Sequence, residues 1–347
     1  MTDRISDRDG FRTDSPPDRS EGTASWDDLH RRVALSPINT VRPHLPASFR
    51  LVLPVDRWTA FFNLALGLTW MPLVGATPLA GWFVAVHLTA AAFPWLLARA
   101  PAELSPGVRV IREIYPVLWI GGFWSEFGLR YDFIRTLPND ALVTRLDWLI
   151  FGFHPHLRWM EAMPLPWLSA LMQGAYFTYY PLLLGTPIVV LLIGPRTSLR
   201  RLVLRLAVGY LGCFLVYLAF PVEGPTNLPT LLTGGGADWL YAWNDGIRAA
   251  GDSLGTAFPS SHVVGSFTIA WIAWETGPRW IAWLATAAAS LIPFATVYTR
   301  NHLAVDALAG LGLALVLQAL VVGYLERRYA VSDPAMVGSP NVRPVVP

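Results

Sequence analysis

The sequence contains no lysine, so all 26 of its basic residues are arginines. Mechanisms that need a lysine, such as Schiff-base chemistry or a nucleotide-binding P-loop, are therefore excluded. A single cysteine, Cys213, excludes an intrachain disulfide and a thiolate metal cluster. Charged residues make up only 14% of the chain, whereas soluble domains carry about a quarter. The chain thus lacks the polar surface typical of a soluble domain.

Apolar and aromatic residues dominate instead. Hydrophobic residues make up 53% of the 347 residues, and tryptophan, which collects at membrane–water interfaces, occurs 16 times. The net charge of +2 gives no indication of a nucleic-acid partner. We therefore expect an all-α, polytopic integral membrane protein that is surrounded by membrane lipids.

Long apolar runs lie between polar segments. Each run approaches the ~20 residues that a bilayer-spanning helix needs. Residues 1–50 and 329–347 are polar and contain prolines, so we predict disordered tails there. The first two runs form a predicted N-terminal helical hairpin over 58–98. The full set of predicted membrane helices covers residues 58–74, 78–98, 110–128, 168–193, 203–220, 261–277, 280–297 and 302–324.

Arginines are distributed unevenly between the predicted loops. With the N-terminus inside, 20 arginines fall on the inner side and 6 on the outer side. This is the bias that the positive-inside rule describes. It predicts cytoplasmic N- and C-termini in a multi-pass cell-membrane protein.

Two of the seven histidines, His262 and His302, lie at the starts of predicted helices on the outer face. They are 40 residues and an even number of spans apart, so they can meet at one membrane surface. Pro259, Ser260 and Ser261 precede His262, and this pattern favours a helix start capped by a serine hydroxyl. Free amides and the helix dipole at such a start bind phosphate. Ser260 and Ser261 are therefore candidate substrate-binding residues.

The second histidine is followed by a carboxylate at helical spacing. His302 and Asp306 are four residues apart and would share one face of a helix. A carboxylate bonded to one ring nitrogen fixes the tautomer and leaves the other nitrogen as a nucleophile. Arg300 offers a fork of donors suited to phosphate oxygens. Catalytic roles are thus predicted for His302, His262 and Asp306, and substrate binding for Arg300.

Together these motifs resemble the type 2 phosphatidic acid phosphatase superfamily. Its second motif, Pro-Ser-Gly-His, is similar to Pro259–His262, and its third motif ends in His-x-x-x-Asp, as in His302–Asp306. Phe-Pro-Ser-x-His combined with Thr-Arg-Asn-His most resembles the inositolphosphotransferase branch, which includes fungal inositol phosphorylceramide synthase. Arg145–Pro155 and Phe220–Pro225 also resemble that branch.

The resemblance implies a fold and a reaction. The fold is a six-helix catalytic membrane domain over 110–325, with about two extra N-terminal membrane helices. The reaction is phosphoryl transfer from a lipid phosphate or diphosphate through a phosphohistidine on His302, at the outer face. His262 serves as acid and then base. The acceptor is water in a phosphatase, or an inositol or sugar hydroxyl in a transferase. The scheme implies no metal and no cofactor.

The family's usual phosphate-binding cations are largely missing from this sequence. The first motif begins with lysine, and Ala295-Thr296 stands where the third motif has Ser-Arg. Arg145, Arg158 or Arg248 are possible replacements. A degenerate protein that binds lipid phosphate without turnover therefore stays an alternative, as does a transporter or flippase. A metal site made of His262, His302 and Asp306 is a further alternative.

Other polar residues have plainer interpretations. His87 lies inside a predicted span and is expected to bond to a neighbouring helix. Glu113 and Glu126 lie near span ends and are expected to face water or an arginine. His154 and His156 belong to segment 144–161, which is expected to lie along the membrane interface.

Overall fold

Helices account for nearly all of the chain that the computed structural model describes, which is residues 52–99, 106–134, 139–194, 196–225 and 238–329. Two isolated bridges, Val74–Thr77 and Val222–Thr256, are the only extended pairings among these residues. The predicted tail 1–50 lies outside the described residues, and so does the tail 329–347 except for Tyr329.

Three helices form the N-terminal part of the bundle. Helix α1 spans Pro54–Trp70, α2 spans Pro78–Ala98 and α3 spans Pro106–Ile134. A short 3₁₀ turn over Met71–Leu73 lies between α1 and α2, which pack closely against each other. Proline at the first position of a helix has the right φ and needs no hydrogen-bond partner for its nitrogen.

Two short helices and three longer ones follow. Helix α4 spans Asp140–Phe151 and α5 spans Pro155–Ala162, in the segment expected at the interface. The next helices are α6 over Pro166–Ile193, α7 over Arg196–Ala219 and α8 over Asp238–Gly251.

The C-terminal part carries both candidate histidine motifs. Helix α9 spans Ser261–Thr276, α10 spans Arg279–Tyr298 and α11 spans Ala304–Val316. A π-helical turn over Leu317–Val322 continues α11 into α12, Gly323–Tyr329.

Helix α7 is the centre of the bundle. It contacts α1, α3, α6 and α9 as well as the π-helical turn, and 78% of its apolar stretch is buried. Glycines allow this close packing: a Cβ on Gly212 would lie 2.5 Å from Leu317 Cδ1. In a bilayer, small residues let helices approach because packing replaces the hydrophobic effect between them.

Within the described residues, five helices are long and apolar enough to cross a membrane: Pro78–Ala98, Pro166–Leu192, Ser198–Ala219, Arg279–Tyr298 and Ala304–Glu326. The other three predicted spans coincide with α1, α3 and α9, which are shorter or carry more charge. The predicted all-α polytopic membrane fold is confirmed.

Several predicted boundaries differ from the observed helices by four residues or more, and two of these differences have an identifiable reason. Helix α1 begins at Pro54, four residues before the prediction, because Asp56 Oδ2 accepts the free Leu53 N–H at 2.6 Å. Helix α7 begins at Arg196 instead of residue 203. Its arginines tolerate burial because Arg200 pairs with Glu113 at 2.8 Å and Arg205 with Glu275 at 2.9 Å.

Candidate functional site

His262 lies in the first turn of α9, where the sequence predicted a helix start. Ser260 is the N-cap residue, and its N–H donates to Asp306 O at 3.0 Å, which ties α9 to the start of α11. The predicted capping by a serine hydroxyl is wrong for Ser260, whose side chain makes no capping bond. The first amides of α9 are therefore not satisfied by that hydroxyl.

His302 lies in the loop before α11 and not on the helix. The predicted shared helix face with Asp306 is therefore wrong. The loop folds back on α10, since the N–H groups of Asn301 and His302 both donate to Thr296 O, at 2.9 and 3.1 Å. Arg300 adopts a positive φ of 62°, which allows this tight reversal.

The two histidines nevertheless meet. His302 Nε2 lies 3.4 Å from His262 Nδ1, and His302 Nδ1 lies 3.4 Å from Asp306 Oδ2. Asp306 is completely buried, and the same Oδ2 accepts the Leu303 N–H at 2.8 Å. The bond from the Leu303 N–H orients the Asp306 carboxylate. The series of contacts from His262 to His302 to Asp306 therefore has the order of an acid–base partner, a nucleophile and an orienting group.

Two buried polar atoms at this place have no hydrogen-bond partner within the described part of the chain. They are Ser260 Oγ and Asp306 Oδ1. An unsatisfied buried polar atom costs about 1–3 kcal/mol, so such atoms need an explanation. A bound anion or water molecule would supply a partner for the hydroxyl.

A cluster of tyrosines holds the ring of His262 from the other side. The ring centroid lies 4.2 Å from that of Tyr179 and 5.2 Å from that of Tyr176. Tyr217 OH donates to Pro259 O at 2.7 Å and fixes the turn that precedes α9. These contacts limit the rotation of His262 and keep it facing His302.

The guanidinium of Arg300 is directed toward α5. It donates to Leu157 O at 3.3 Å and to Glu161 Oε1 at 3.1 Å. Its side chain is buried, while that of Glu161 is 54% exposed. The structure thus brings His262, His302, Asp306, Ser260 and Ser261 together and engages Arg300 elsewhere.

A cavity of about 620 Å³ opens onto His262 and Ser261. It is lined along α6 from Tyr176 to Leu191, a helical distance of roughly 22 Å at 1.5 Å per residue. Most of its other lining side chains are aliphatic or aromatic. Such a cavity has the length and character to hold hydrocarbon chains beside the histidines.

Arg248 lines the same cavity. The sequence analysis named it as one of three arginines that could replace the missing phosphate-binding cations. Arg248 bonds to Asp245 at 2.5 Å, and this hydrogen bond is the main cause that raises the pKa of Arg248. Its side chain is 44% exposed, so it can turn toward a ligand.

The loop after α7 is bonded to the segment that precedes α9 and to the start of α4. Val222 forms a bridge with Thr256, and the N–H groups of Glu223 and Gly224 donate to the Asp140 carboxylate at 3.3 and 2.9 Å. Gly224 has a φ of 79° and a Cβ there would collide with Ala257, so glycine is required.

A second group of polar side chains is linked to the start of α11, where the Val305 N–H donates to Asp147 Oδ1 at 3.1 Å, and the sequence analysis missed this group. Asp147, His154 and His156 have potential ligand atoms within 4.8 Å of one another. His156 is buried within the protein, whereas His154 is partly exposed. Burial lowers the pKa of His156 to about 4, against the opposing effect of the Asp147 carboxylate. The His-x-His spacing after Asp147 was the available signal.

Two glutamates of α3 also differ in their surroundings. Glu113 pairs with Arg200, as expected. Glu126 is buried and interacts with the charge of Arg130, in line with the expectation of an arginine. It also accepts from the Trp70 indole at 2.5 Å and contacts His87 Nε2 at 2.8 Å, which was not expected. His87 bonds to neighbouring helices as predicted, since its Nδ1 lies 2.9 Å from Asn63 Oδ1.

The fold and site together define a class: a helical, multi-span membrane protein in which a histidine at the start of one helix meets a histidine in the loop before another, with a cavity beside them. Comparison with known families gives the narrower assignment. The profile described as the PAP2 superfamily, which is the type 2 phosphatidic acid phosphatase superfamily, matches residues 141–320, more than half of the chain. The chain belongs to this superfamily of phosphatases and phosphotransferases. No curated protein and no solved structure matched it.

Proposed function

We propose that this protein is a lipid-phosphate phosphatase or phosphotransferase that works through a phosphohistidine on His302. The observation that carries the proposal is the contact chain from His262 to His302 to Asp306, at 3.4 Å for each step. Superfamily membership and the apolar cavity beside His262 support a lipid phosphate or diphosphate as substrate.

The proposed reaction has two displacements. In the first, His302 Nε2 attacks phosphorus, a P–N bond forms, the P–O bond to the leaving group breaks, and His262 gives its proton to the departing oxygen. In the second, water or an alcohol attacks phosphorus, its proton passes to His262, and the P–N bond breaks. Each step leaves the histidines ready for the next, and no metal ion takes part.

Asp306 orients His302 and stabilises the positive charge that the ring acquires during attack. The two rings now lie within hydrogen-bonding reach of each other, so the phosphoryl group must enter between them. Catalytic contacts often change when substrate binds, and here the two rings must separate to admit the phosphoryl group.

Groups around the pair would bind the phosphoryl oxygens. We propose the first amides of α9, the hydroxyls of Ser260 and Ser261, and the guanidinium of Arg300 once it leaves Glu161. Arg248 is a further candidate because it lines the cavity. If Arg300 acts on phosphate, Arg300→Ala lowers kcat/KM and Glu161→Gln does not. If Arg300 only holds α5, both variants lower thermal stability alone.

The first experiment is a release-and-transfer assay on purified full-length protein in detergent. It uses a panel of lipid phosphates and diphosphates, with and without inositol and sugars, for wild type and His302→Asn. Release into water identifies a phosphatase, and a new phosphodiester or sugar phosphate identifies a transferase. The resemblance to the inositolphosphotransferase branch favours an inositol or sugar hydroxyl as acceptor.

A trapping experiment tests the intermediate itself. Brief mixing with a lipid phosphate labelled at phosphorus, followed by denaturation in base, should leave an acid-labile label on wild type but not on His302→Asn. Binding of the lipid without label and without product would instead support the degenerate binding protein. The engaged state of Arg300 is the observation that favours that second candidate.

We also propose that the site faces outward and that both termini are cytoplasmic. The only cysteine, Cys213, is fully buried, so introduced cysteines can report topology. Gly246 and Gly107 are exposed and have open space for a Cβ. An impermeant thiol reagent should label Gly246→Cys in intact cells and Gly107→Cys only after the membrane is broken. The opposite pattern would reverse the orientation.

A further inference from the structure

The end of α4 and the start of α5 bring together three side chains that the proposed reaction does not use: Asp147, His154 and His156. Asp147 is completely buried, the His156 side chain is 7% exposed and the His154 side chain is 27% exposed. One carboxylate and two imidazoles in such a place are a metal-binding donor set.

The spacing of the donor atoms agrees with a tetrahedral ion. His154 Nδ1 lies 3.3 Å from Asp147 Oδ2, and His156 Nδ1 lies 4.0 Å from the same oxygen. Zinc bonds of about 2.0–2.1 Å place neighbouring ligand atoms about 3.3 Å apart. The first distance already has this value, and the second must shorten from 4.0 Å when an ion binds. All three potential ligand atoms lie within 4.8 Å of one another.

His156 Nδ1 supplies a second, independent observation. It is buried and has no hydrogen-bond partner within the part of the chain that the structure describes. At 4.0 Å the Asp147 oxygen is too far to be a hydrogen-bond acceptor. A hydrogen bond between His154 and Asp147 would account for the positions of those two side chains only. A bound ion would also give the buried His156 Nδ1 a partner.

The local fold holds these donors in place without the ion. Gly152 ends α4 with a left-handed φ of 71°, and Pro155 begins α5, so the turn between the helices is tightly defined. The other oxygen of Asp147 accepts the Val305 N–H at 3.1 Å. Such a bond from outside the donor set orients a metal-binding carboxylate.

We propose that Asp147, His154 and His156 bind one divalent cation of the zinc type, which fastens the α4–α5 turn to the start of α11. Val305 lies between His302 and Asp306, so the ion would brace the segment that carries the reacting pair. The inference goes beyond the proposed function and revises the expectation that the chain binds no metal. It also differs from the alternative site at His262, His302 and Asp306, because the ion touches none of these side chains.

The test measures bound zinc on full-length protein purified in detergent with an affinity tag that contains no histidine. The protein is stripped with a chelator, incubated with zinc ions, passed through a desalting column and analysed by elemental mass spectrometry. We expect about one zinc per chain in wild type and a more than tenfold reduction in Asp147→Asn, His154→Gln and His156→Gln.

Two control variants make the result specific. His87→Gln alters another buried histidine that faces a carboxylate, Glu126, but has no third donor of this kind. His302→Gln alters the alternative metal site. Both should keep about one zinc per chain. No zinc in wild type, or loss in His302→Gln with retention in His156→Gln, would overturn the proposal.

Two further measurements keep the test decisive if a buried variant folds poorly. Cobalt ions should give wild type the visible absorption of tetrahedral Co²⁺, and His154→Gln, at the most exposed donor, should abolish it. Zinc should raise the thermal unfolding temperature of wild type but not of His154→Gln. Absent cobalt absorption and unchanged unfolding temperatures would count against the site. None of these readouts depends on turnover, so they remain informative if the proposed reaction is wrong.

Discussion

Two buried histidines in different parts of the molecule face carboxylates but differ in how tightly they are held. In the N-terminal part, His87 contacts Asn63 at 2.9 Å and Glu126 at 2.8 Å. In the C-terminal part, both nitrogens of His302 have neighbours at 3.4 Å, one of them another histidine. Ordinary hydrogen bonds with nitrogen donors measure about 2.7–3.2 Å.

The short contacts of His87 indicate a structural network, whereas the longer contacts of His302 indicate a site that can accept a ligand. The His87 network is closed, because the Trp70 indole also donates to Glu126. The His302 group is open: Ser260 Oγ and Asp306 Oδ1 have no partner among the residues that the structure describes, and a cavity lies at its side. Polar groups between membrane helices usually mark function, and a transporter would use such a network. A closed network has no free position for a passing ligand.

The largest expected effect is on turnover. His302→Asn removes the nucleophile and should lower kcat by about 10⁴-fold or more, as for other covalent catalysts. His87→Asn alters the matched buried histidine and should leave kcat unchanged. Steady-state assays on the lipid phosphate found in the first experiment provide the measurement. Equal losses of kcat in the two variants would show that the two histidines do not differ in function.

The next effect concerns the proton on the leaving group. His262→Asn should lower kcat by about 10²–10⁴-fold with a lipid alcohol as leaving group. The loss should shrink with a substrate whose leaving group is an acidic phenol, because that oxygen needs no proton. Comparing the two substrates checks the role of His262. A loss that is independent of the leaving group would assign His262 to positioning and not to acid catalysis.

The third effect is on stability. His87→Ala leaves Asn63 and Glu126 without their partner and should lower the free energy of unfolding by about 1–3 kcal/mol. Thermal unfolding in detergent, followed by tryptophan fluorescence, measures it, and kcat per folded molecule should not change. Arg145→Ala, at an exposed position of α4, is the control. Lost activity at unchanged stability would give the His87 network a functional role.

The smallest expected effect is on substrate affinity. Arg248→Ala removes the cation on the cavity wall and should lower kcat/KM about tenfold, the equivalent of 1.4 kcal/mol. Its side chain is partly exposed, so solvent limits the gain from the charge. Arg99→Ala, at the exposed C-cap of α2, is the comparison and should have no effect. A loss confined to kcat would move Arg248 from substrate binding to transition-state stabilisation.

Much of the fold was predictable because it follows from hydropathy. Apolar runs must bury their backbone polar groups within helices in a bilayer, so the helices were placed close to their observed positions. The boundaries failed at α1 and α7. There, contacts between residues far apart in sequence, such as Arg200 with Glu113, allow polar turns to be helical.

The candidate site was predictable in its members but not in its geometry. The meeting of His262 and His302 follows from an even number of spans between them. The loop position of His302 depends instead on the acceptor Thr296 O, and the direction of Arg300 depends on Glu161. Neither partner lies at a sequence spacing that a motif would reveal.

The sequence by itself determined that this protein is a helical membrane protein with two histidine motifs of one superfamily, since composition and short motifs are local properties of a chain. Only the tertiary structure decided which polar groups are paired. Burial makes each unpaired group costly, and partners come from distant helices. The closed His87 network, the open His302 group and the cluster of Asp147, His154 and His156 therefore became visible only after folding.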